Sequence, residues 1–331
     1  MSTVVASILF LSIVIYGVFG GADFGIGFWD LTAGGVERGR RPRALMDHAI
    51  GPVWEANHTW LIFCLVLLWT GFPLAFAAIM TTLYIPLGIA AFGIVLRGSG
   101  FAFRKVAVRT VEQRLFGVMF ATSSVLTPFC FGAVVGGIAS GRVPTEGHGD
   151  AVRSWLNPTS LVCGVLAVLI CAYLAAVFLM TVARRTDPDL EQWARLRAII
   201  AAILVGVDAA LGILVLNHDA HRLYRQLIQV GWPLLAVSAI AGILALVTTA
   251  RRFPTLARPL GVLAVTSVIG GWGVAQYPYL LGTHLRIQSS AAPAPTLDAL
   301  GVVAILAVLL VVPSLIALFV LTERGRLHDE L

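Results

Sequence analysis

The chain has 331 residues, of which 58% are hydrophobic and only 12% charged, with a net charge of +6 and a mean hydropathy of +0.90. So little charge excludes a soluble globular protein of this length. The basic residues are scattered through short loops and form no single stripe, which excludes a nucleic-acid-binding surface.

The apolar residues come in long unbroken blocks, the pattern of an all-α, polytopic membrane protein. Barrel strands would instead alternate polar and apolar residues. Nine helices are expected, over residues 3–22 (or on to 30), 52–71, 74–96, 115–139, 159–183, 198–217, 230–250, 259–281 and 298–321. Each can cross about 30 Å of hydrocarbon at about 1.5 Å per residue. Met1–Ile15 has no basic leader and no small-residue cleavage site, so it reads as the start of the first span and not as a signal peptide. The loops are short, and residues 1–331 read as a single integral membrane domain, two four-helix bundles plus one helix.

The odd-numbered loops and the C-terminal tail carry 18 Lys and Arg, and the even-numbered loops carry 5. The positive-inside rule then places the N-terminus outside and the C-terminus in the cytoplasm. Arg184–Arg185 and Arg251–Arg252 close the fifth and seventh helices at the cytoplasmic surface, where arginine can reach the headgroups.

Of the 17 acidic residues, Asp23, Glu55 and Asp208 fall within apolar runs. A carboxylate at the bilayer centre costs about 2.5–3.5 kcal/mol on insertion scales. No Lys or Arg is expected mid-span, so the three acids are left to protonation, a hydrated cavity or another subunit. Asp23 lies in GADFGIG, with Gly20, Gly21, Gly25 and Gly27 around it, and close approach of neighbouring backbones or of water is expected there. Its predicted place is the cytoplasmic end of the first helix. Glu55 lies in WEANHTWL at the head of the second. His58 shares its helix face at i, i+3, with Asn57 beside them and Trp54 and Trp60 flanking. Both acids thus fall near one membrane surface. They read as proton carriers or subunit contacts, against the plainer alternatives of a dipole-favouring helix acid for Glu55 and a backbone-bonded helix-end acid for Asp23. Asp208, in VGVDAALG, has no motif around it and reads equally as a neutral, hydrogen-bonded acid.

His58 is expected as a hydrogen-bonding neighbour of Glu55 and not as a haem ligand. No histidine pattern has metal-ligand spacing, and no metal site is expected. Cys64, Cys130, Cys163 and Cys171 all sit in apolar runs without a CxxC pair and read as apolar filler. The glycines of Gly132–Gly137 and Gly270–Gly273 read as helix-packing positions. No phosphate-binding loop, dinucleotide loop or nucleophile elbow is present in the sequence.

Taken with TGFPLAFA at Thr70–Ala77, LRGSGFAFR at Leu96–Arg104, the Ser123–Pro128 and Gly132–Gly137 stretches, WLNPTSL at Trp155–Leu161, YPYLL at Tyr277–Leu281 and APAPTL at Ala292–Leu297, these motifs run nearly end to end. The chain resembles subunit II of the cytochrome bd quinol oxidase family; WEANHTWL and LRGSGFAFR are the most specific of these stretches, and the others are modest taken singly. The resemblance departs at Ala22, where an aromatic is common, at Ala102, where an acid is frequent, and at Glu55, one methylene longer than the usual Asp.

The resemblance implies a respiratory terminal oxidase of the bacterial plasma membrane that oxidises quinol and reduces dioxygen to water. It implies that the b- and d-type haems and the quinol site lie in a partner, subunit I, which this haem-free chain helps to assemble. It further implies a cytoplasmic proton route through the acid of W-[DE]-x-N, here Glu55, with Asp23 near it and His58 and Asn57 as neighbours. Small single-helix subunits and a structural quinone or lipid are further expected partners. The rival reading is a secondary transporter that uses its intramembrane carboxylates.

Overall fold

The structure is a computed structural model describing residues 1–50, 54–107, 109–283 and 285–323, with the side chains of 36, 50, 54–56, 105, 110, 185, 186, 254 and 318–323 left aside. Twelve helices and one small hairpin follow in chain order: α1 Ser2–Leu31, α2 Val36–Ile50, α3 Trp54–Gly71, α4 Pro73–Thr82, α5 Tyr84–Val106, α6 Thr110–Ala139, α7 Pro158–Thr186, α8 Pro188–Asp219, α9 His221–Gln229, α10 Trp232–Ala250, α11 Pro254–Gln276, β1 Tyr279–Leu281, β2 Leu285–Arg286 and α12 Ala294–Glu323. Among the described residues, eight helices are long and apolar enough to span a bilayer. The pair α3 and α4, bent by 116°, makes a ninth candidate.

The bend has a local cause. Pro73 opens α4 and has no N–H to give the preceding turn, and it drives Phe72 out of the helical region to φ −139°, ψ 62°. The helix expected over 74–96 is two: α4 stops at Thr82, and α5 starts at Tyr84 and runs on to Val106. The first helix likewise continues to Leu31, eight residues past Asp23. The first loop contains α2, which turns Leu45 and Met46 into the core while its arginines face outward or toward other helices. Charge on the outer face of α2 hides it from a hydropathy reading.

Helix α1 is central and packs against α3, α6, α7 and α11; α5 packs on α6, α8 and α10 on α7 and α11, and α12 lies beside α1 and α3. The α7–α8 seam is built from alanines, Ala172, Ala175, Ala176 and Ala183 facing Ala194, Ala198 and Ala201, all buried. Small side chains let helices approach closely where no water drives them together. Proline at the first position and an oxygen-bearing cap set both N-termini. The Asn157 side chain accepts from the Ser160 N–H at 3.0 Å, and that of Asp187 from the Asp189 N–H at 3.0 Å. At the opposite end of α8, Asp219 accepts from Arg142 at 2.6 and 2.9 Å and from the Thr159 hydroxyl at 2.6 Å, tying α8 to the start of α7. Large apolar side chains cover the outside of α8, α10 and α12, as expected of surfaces facing lipid or another subunit.

Candidate functional site

The glycines of GADFGIG bring two helices, α6 and α7, against α1. A Cβ at Gly25 would land on the Cys171 carbonyl of α7, and one at Gly27 on the Ser124 side chain of α6. The Trp29 indole then donates to the Ala172 carbonyl of α7 at 2.7 Å. With the backbones this close, Asp23 lies between α3, α5 and α6 and is only 5% exposed.

The Asp23 carboxylate is held by Asn57 of α3, whose Nδ2 donates to Oδ2 at 2.5 Å. The two signature strings are thus joined directly, side chain to side chain. One residue on, His58 presents Nδ1 to the Tyr16 hydroxyl at 3.5 Å. Its ring stands edge-on to Phe24 at 5.9 Å and tilted to Tyr16 at 6.1 Å.

Arg97 of α5 is the residue that hydropathy reading misses. It is 1% exposed, with Nη2 donating to the Asp23 carbonyl at 3.0 Å and Nε to the Ser124 hydroxyl at 3.1 Å. The Phe24 and Phe120 rings lie 5.0 and 5.2 Å from the guanidinium carbon. Aromatic faces and two oxygens replace part of the water an arginine normally keeps. The expectation of no mid-span cation is therefore corrected. Shifting the helix to Tyr84–Val106 places Arg97 fourteen residues in, about 20 Å along its axis. Asp23 is corrected in the same way: it is an interior residue of α1, about 12 Å short of its end, and it has an arginine beside it.

A second acid–arginine tier lies one heptad further along. Asp30 of α1 accepts from Arg104 at 2.5 Å and from Arg43 of α2 at 2.6 Å, and Arg104 also pairs with Asp47 of α2. Arg43 reaches on to the Gly34 carbonyl at 2.7 Å, where the chain turns with Gly34 at φ 98°. A signal for this tier was present in the sequence: Asp23 and Asp30, and Arg97 and Arg104, are each seven residues apart, two turns on one helix face.

Glu55 lies in the first turn of α3, two residues before Asn57; its side chain lies outside the described residues, and so does any contact it makes with His58. Asp208 stands apart, joined to the cluster by none of the described hydrogen bonds. Its Oδ2 is buried without a partner among the described residues. The hydrogen-bonded form expected of it is thus not provided by a described side chain. Among the described residues no group of three or more His, Cys, Asp or Glu is placed to hold a metal ion.

Outside the bilayer spans, Arg41 of α2 pairs with Asp187 at the α7–α8 turn and approaches Asp189 at 3.6 Å. The Arg41 hydrogen bond holds the Asp187 carboxyl below the usual carboxylate range. Helix α2 is therefore tied to α1 and α5 through Arg43 and Asp47 and to the α7–α8 turn through Arg41.

The sequence model of the family described as "Cytochrome bd terminal oxidase subunit II" matches residues 1–322. The chain is 28% identical over 194 residues to the cytochrome bd ubiquinol oxidase subunit 2 of Bacillus subtilis, a match spanning 57% of this chain and only 55% of that relative. It is 21% identical over 311 residues to the cytochrome bd-I ubiquinol oxidase subunit 2 of Escherichia coli K12, covering 83% of this chain and 80% of the relative. In three dimensions it is similar to a chain of the bd oxidase of Geobacillus thermodenitrificans, with a TM-score of 0.81, 25% identity and 96% and 97% of the two chains covered.

Proposed function

The chain belongs to the cytochrome bd terminal oxidase subunit II family, and from that premise we propose that it is the haem-free subunit of a quinol-oxidising, dioxygen-reducing complex and carries protons toward the oxygen site of its partner. The N-terminus lies outside and the C-terminus in the cytoplasm, following the 18-to-5 split of basic residues. Subunit I supplies the haems and the quinol site; this chain scaffolds it through apolar helix faces.

Reduction of dioxygen to water consumes protons, and a proton crosses apolar protein only along hydrogen-bonding groups. Glu55, in the first turn of α3, is the cytoplasmic receiver. Asn57 and His58 follow it on the same helix, and Asp23 is the next acid inward. The observation that carries this reading is the 2.5 Å bond between Asn57 and Asp23, which makes one polar unit of the two acid-bearing motifs. Arg97 is a positioning residue in this scheme: its positive charge beside Asp23 offsets the cost of a buried carboxylate.

The test is turnover in the assembled complex, with haem content measured in the same preparations. Glu55→Gln and Asp23→Asn keep the shape and remove the exchangeable proton. Oxygen consumption with quinol is expected to fall about a hundredfold or more, the range of a lost proton-transfer group, while the haem spectrum stays intact. Full turnover at full haem content would remove the substituted residue from the route.

A further inference from the structure

The turn between α10 and α11 holds an arginine where a glycine is expected. Helix α10 ends in a Schellman motif, with the Phe253 N–H bonded to the Thr248 carbonyl at 2.8 Å and the Arg252 N–H to the Thr249 carbonyl at 3.2 Å. The residue at its left-handed position is Arg252, at φ 63°, the one positive-φ residue other than glycine among those described. Glycine takes this conformation without steric cost and a residue with a Cβ does not. Clearing the membrane with positive charge would not need that particular site, since Arg251 next to it already supplies a cation. The strain at residue 252 therefore points to a use for the side chain itself.

Two further cations converge on the same turn. Arg251 precedes it, and Arg195 crosses from α8 to donate to the Ala250 carbonyl at 3.2 Å. Arg251 and Arg252 are exposed, Arg195 is half-buried, and none of the three pairs with a carboxylate of the described residues. The nearest acid-rich segment, at the start of α8, has Asp187 and Asp189 turned to Arg41. Below the three arginines run exposed apolar faces: Leu196 and Ile200 on α8, Leu244 and Val247 on α10. Phe253, 53% exposed, stands at the rim, the level where aromatic rings meet headgroups.

We propose that Arg195, Arg251 and Arg252 hold the phosphate of an anionic phospholipid whose acyl chains lie along α8 and α10. Arginine suits phosphate because its planar fork of N–H groups matches two oxygens at once. The apolar faces next to the three cations select a lipid over a free phosphate. This site is separate from the Asp23 cluster and does not depend on the proton route.

The experiment uses the full chain in its detergent-purified complex, stripped of lipid and re-supplied with phosphatidylglycerol, phosphatidylcholine or inorganic phosphate. Thermal unfolding and native mass spectrometry are the readouts. Phosphatidylglycerol is expected to raise the midpoint and to remain bound; phosphatidylcholine and inorganic phosphate are expected to do neither. Arg195→Gln and Arg252→Gly are each expected to weaken phosphatidylglycerol binding about fivefold, and Arg252→Lys, which keeps the charge and loses the fork, to weaken it less than Arg252→Gly does. Arg252→Gly also relieves the left-handed strain, so its lipid-free form should melt no lower than the parent. The proposal is overturned if phosphatidylcholine or inorganic phosphate stabilises as well as phosphatidylglycerol. It is equally overturned if both charge-removing variants respond to phosphatidylglycerol like the parent.

Discussion

Arg97 and Arg104 share one aromatic ring: their guanidinium carbons stand 5.2 and 5.1 Å from the centroid of Phe120. The ring separates the Asp23 tier from the Asp30 tier. Both arginines come from α5 and both acids from α1, so the two helices run the same way, with Arg97 on the Asp23 backbone carbonyl and, two turns or about 10.5 Å further on, Arg104 on the Asp30 carboxylate. Asp30 has Arg43 as a second cation, whereas Arg97 is the one arginine bonded to Asp23 among the described residues.

Arg97→Met is expected to destabilise the complex by about 3–5 kcal/mol, the usual result of removing one partner from a buried charged cluster. The double variant Arg97→Met with Asp23→Asn should recover part of that loss, because the uncompensated carboxylate is gone. Thermal unfolding of the two variants beside the parent decides the matter. A double variant no more stable than Arg97→Met would mean that the arginine acts through packing and not through charge.

Gly25→Ala should disrupt the α1–α7 contact, since its Cβ would meet the Cys171 carbonyl, a backbone atom that has little freedom to shift. Overpacking of this kind costs about 1–3 kcal/mol. Gly21→Ala is the control: the nearest atoms to its Cβ are side-chain atoms at 3.5 and 3.6 Å, ordinary contact distances. Yield of assembled protein and unfolding temperature should fall for the first and hold for the second.

Asp30→Asn leaves Arg43 and Arg104 without their shared carboxylate. Each charge-assisted bond contributes about 1.5–3 kcal/mol, and Arg43 is the link from α1 to α2. Hydrogen exchange is expected to accelerate across Val36–Ile50 and to stay unchanged in α7. Protection of α2 equal to the parent would show that Leu45, Met46 and the remaining Arg41–Asp187 and Arg104–Asp47 pairs hold it without Asp30.

The other tether of α2 is sensitive to acid. A carboxyl whose folded-state pKa lies below its free value contributes stability above the free value, about 3.9 for Asp, and loses it as pH falls through the folded value. Asp187 is such a group, held low first by the Arg41 hydrogen bond. Exchange protection of α2 should therefore be level near neutrality and decline below about pH 4. Arg41→Ala should flatten that decline; an unchanged acid response would assign it to other groups.

Asp208→Asn is expected to leave turnover and haem content unchanged. Its Oδ2 is buried with no partner among the described residues, and no described bond connects it to the Asp23 cluster. A loss of activity in this variant would call for a second path through α8.

The spans were legible because each is a block of apolar residues longer than a bilayer is thick, and Asp23 and Asn57 because their motifs interrupt such blocks. Arg97 was not legible, because hydropathy places the end of its helix at the first charge it meets. That helix instead starts at Tyr84 and runs through Arg97 to Val106. Asp30 was passed over for the mirror-image reason: it lies close to a real helix end, where an acid is commonplace, and only its two arginines mark it out. Helix α2 was lost because its solvent face carries charge enough to cancel the signal from Leu45 and Met46. For Asp208, the hydropathy break was visible and the isolation was not, since isolation is a property of packing.

The matched heptads on α1 and α5 constrain the length of the chain as tightly as its chemistry. One residue inserted between Arg97 and Arg104 would swing the second arginine by about 100° and advance it about 1.5 Å, aiming it away from Asp30 while Arg97 stayed in place. A single-codon insertion or deletion there would put the two helices out of step, beyond the local cost of a substitution such as Gly100→Ala, whose Cβ would meet the backbone of Phe116 and Phe120. Divergent relatives should therefore hardly vary in how many residues that interval contains.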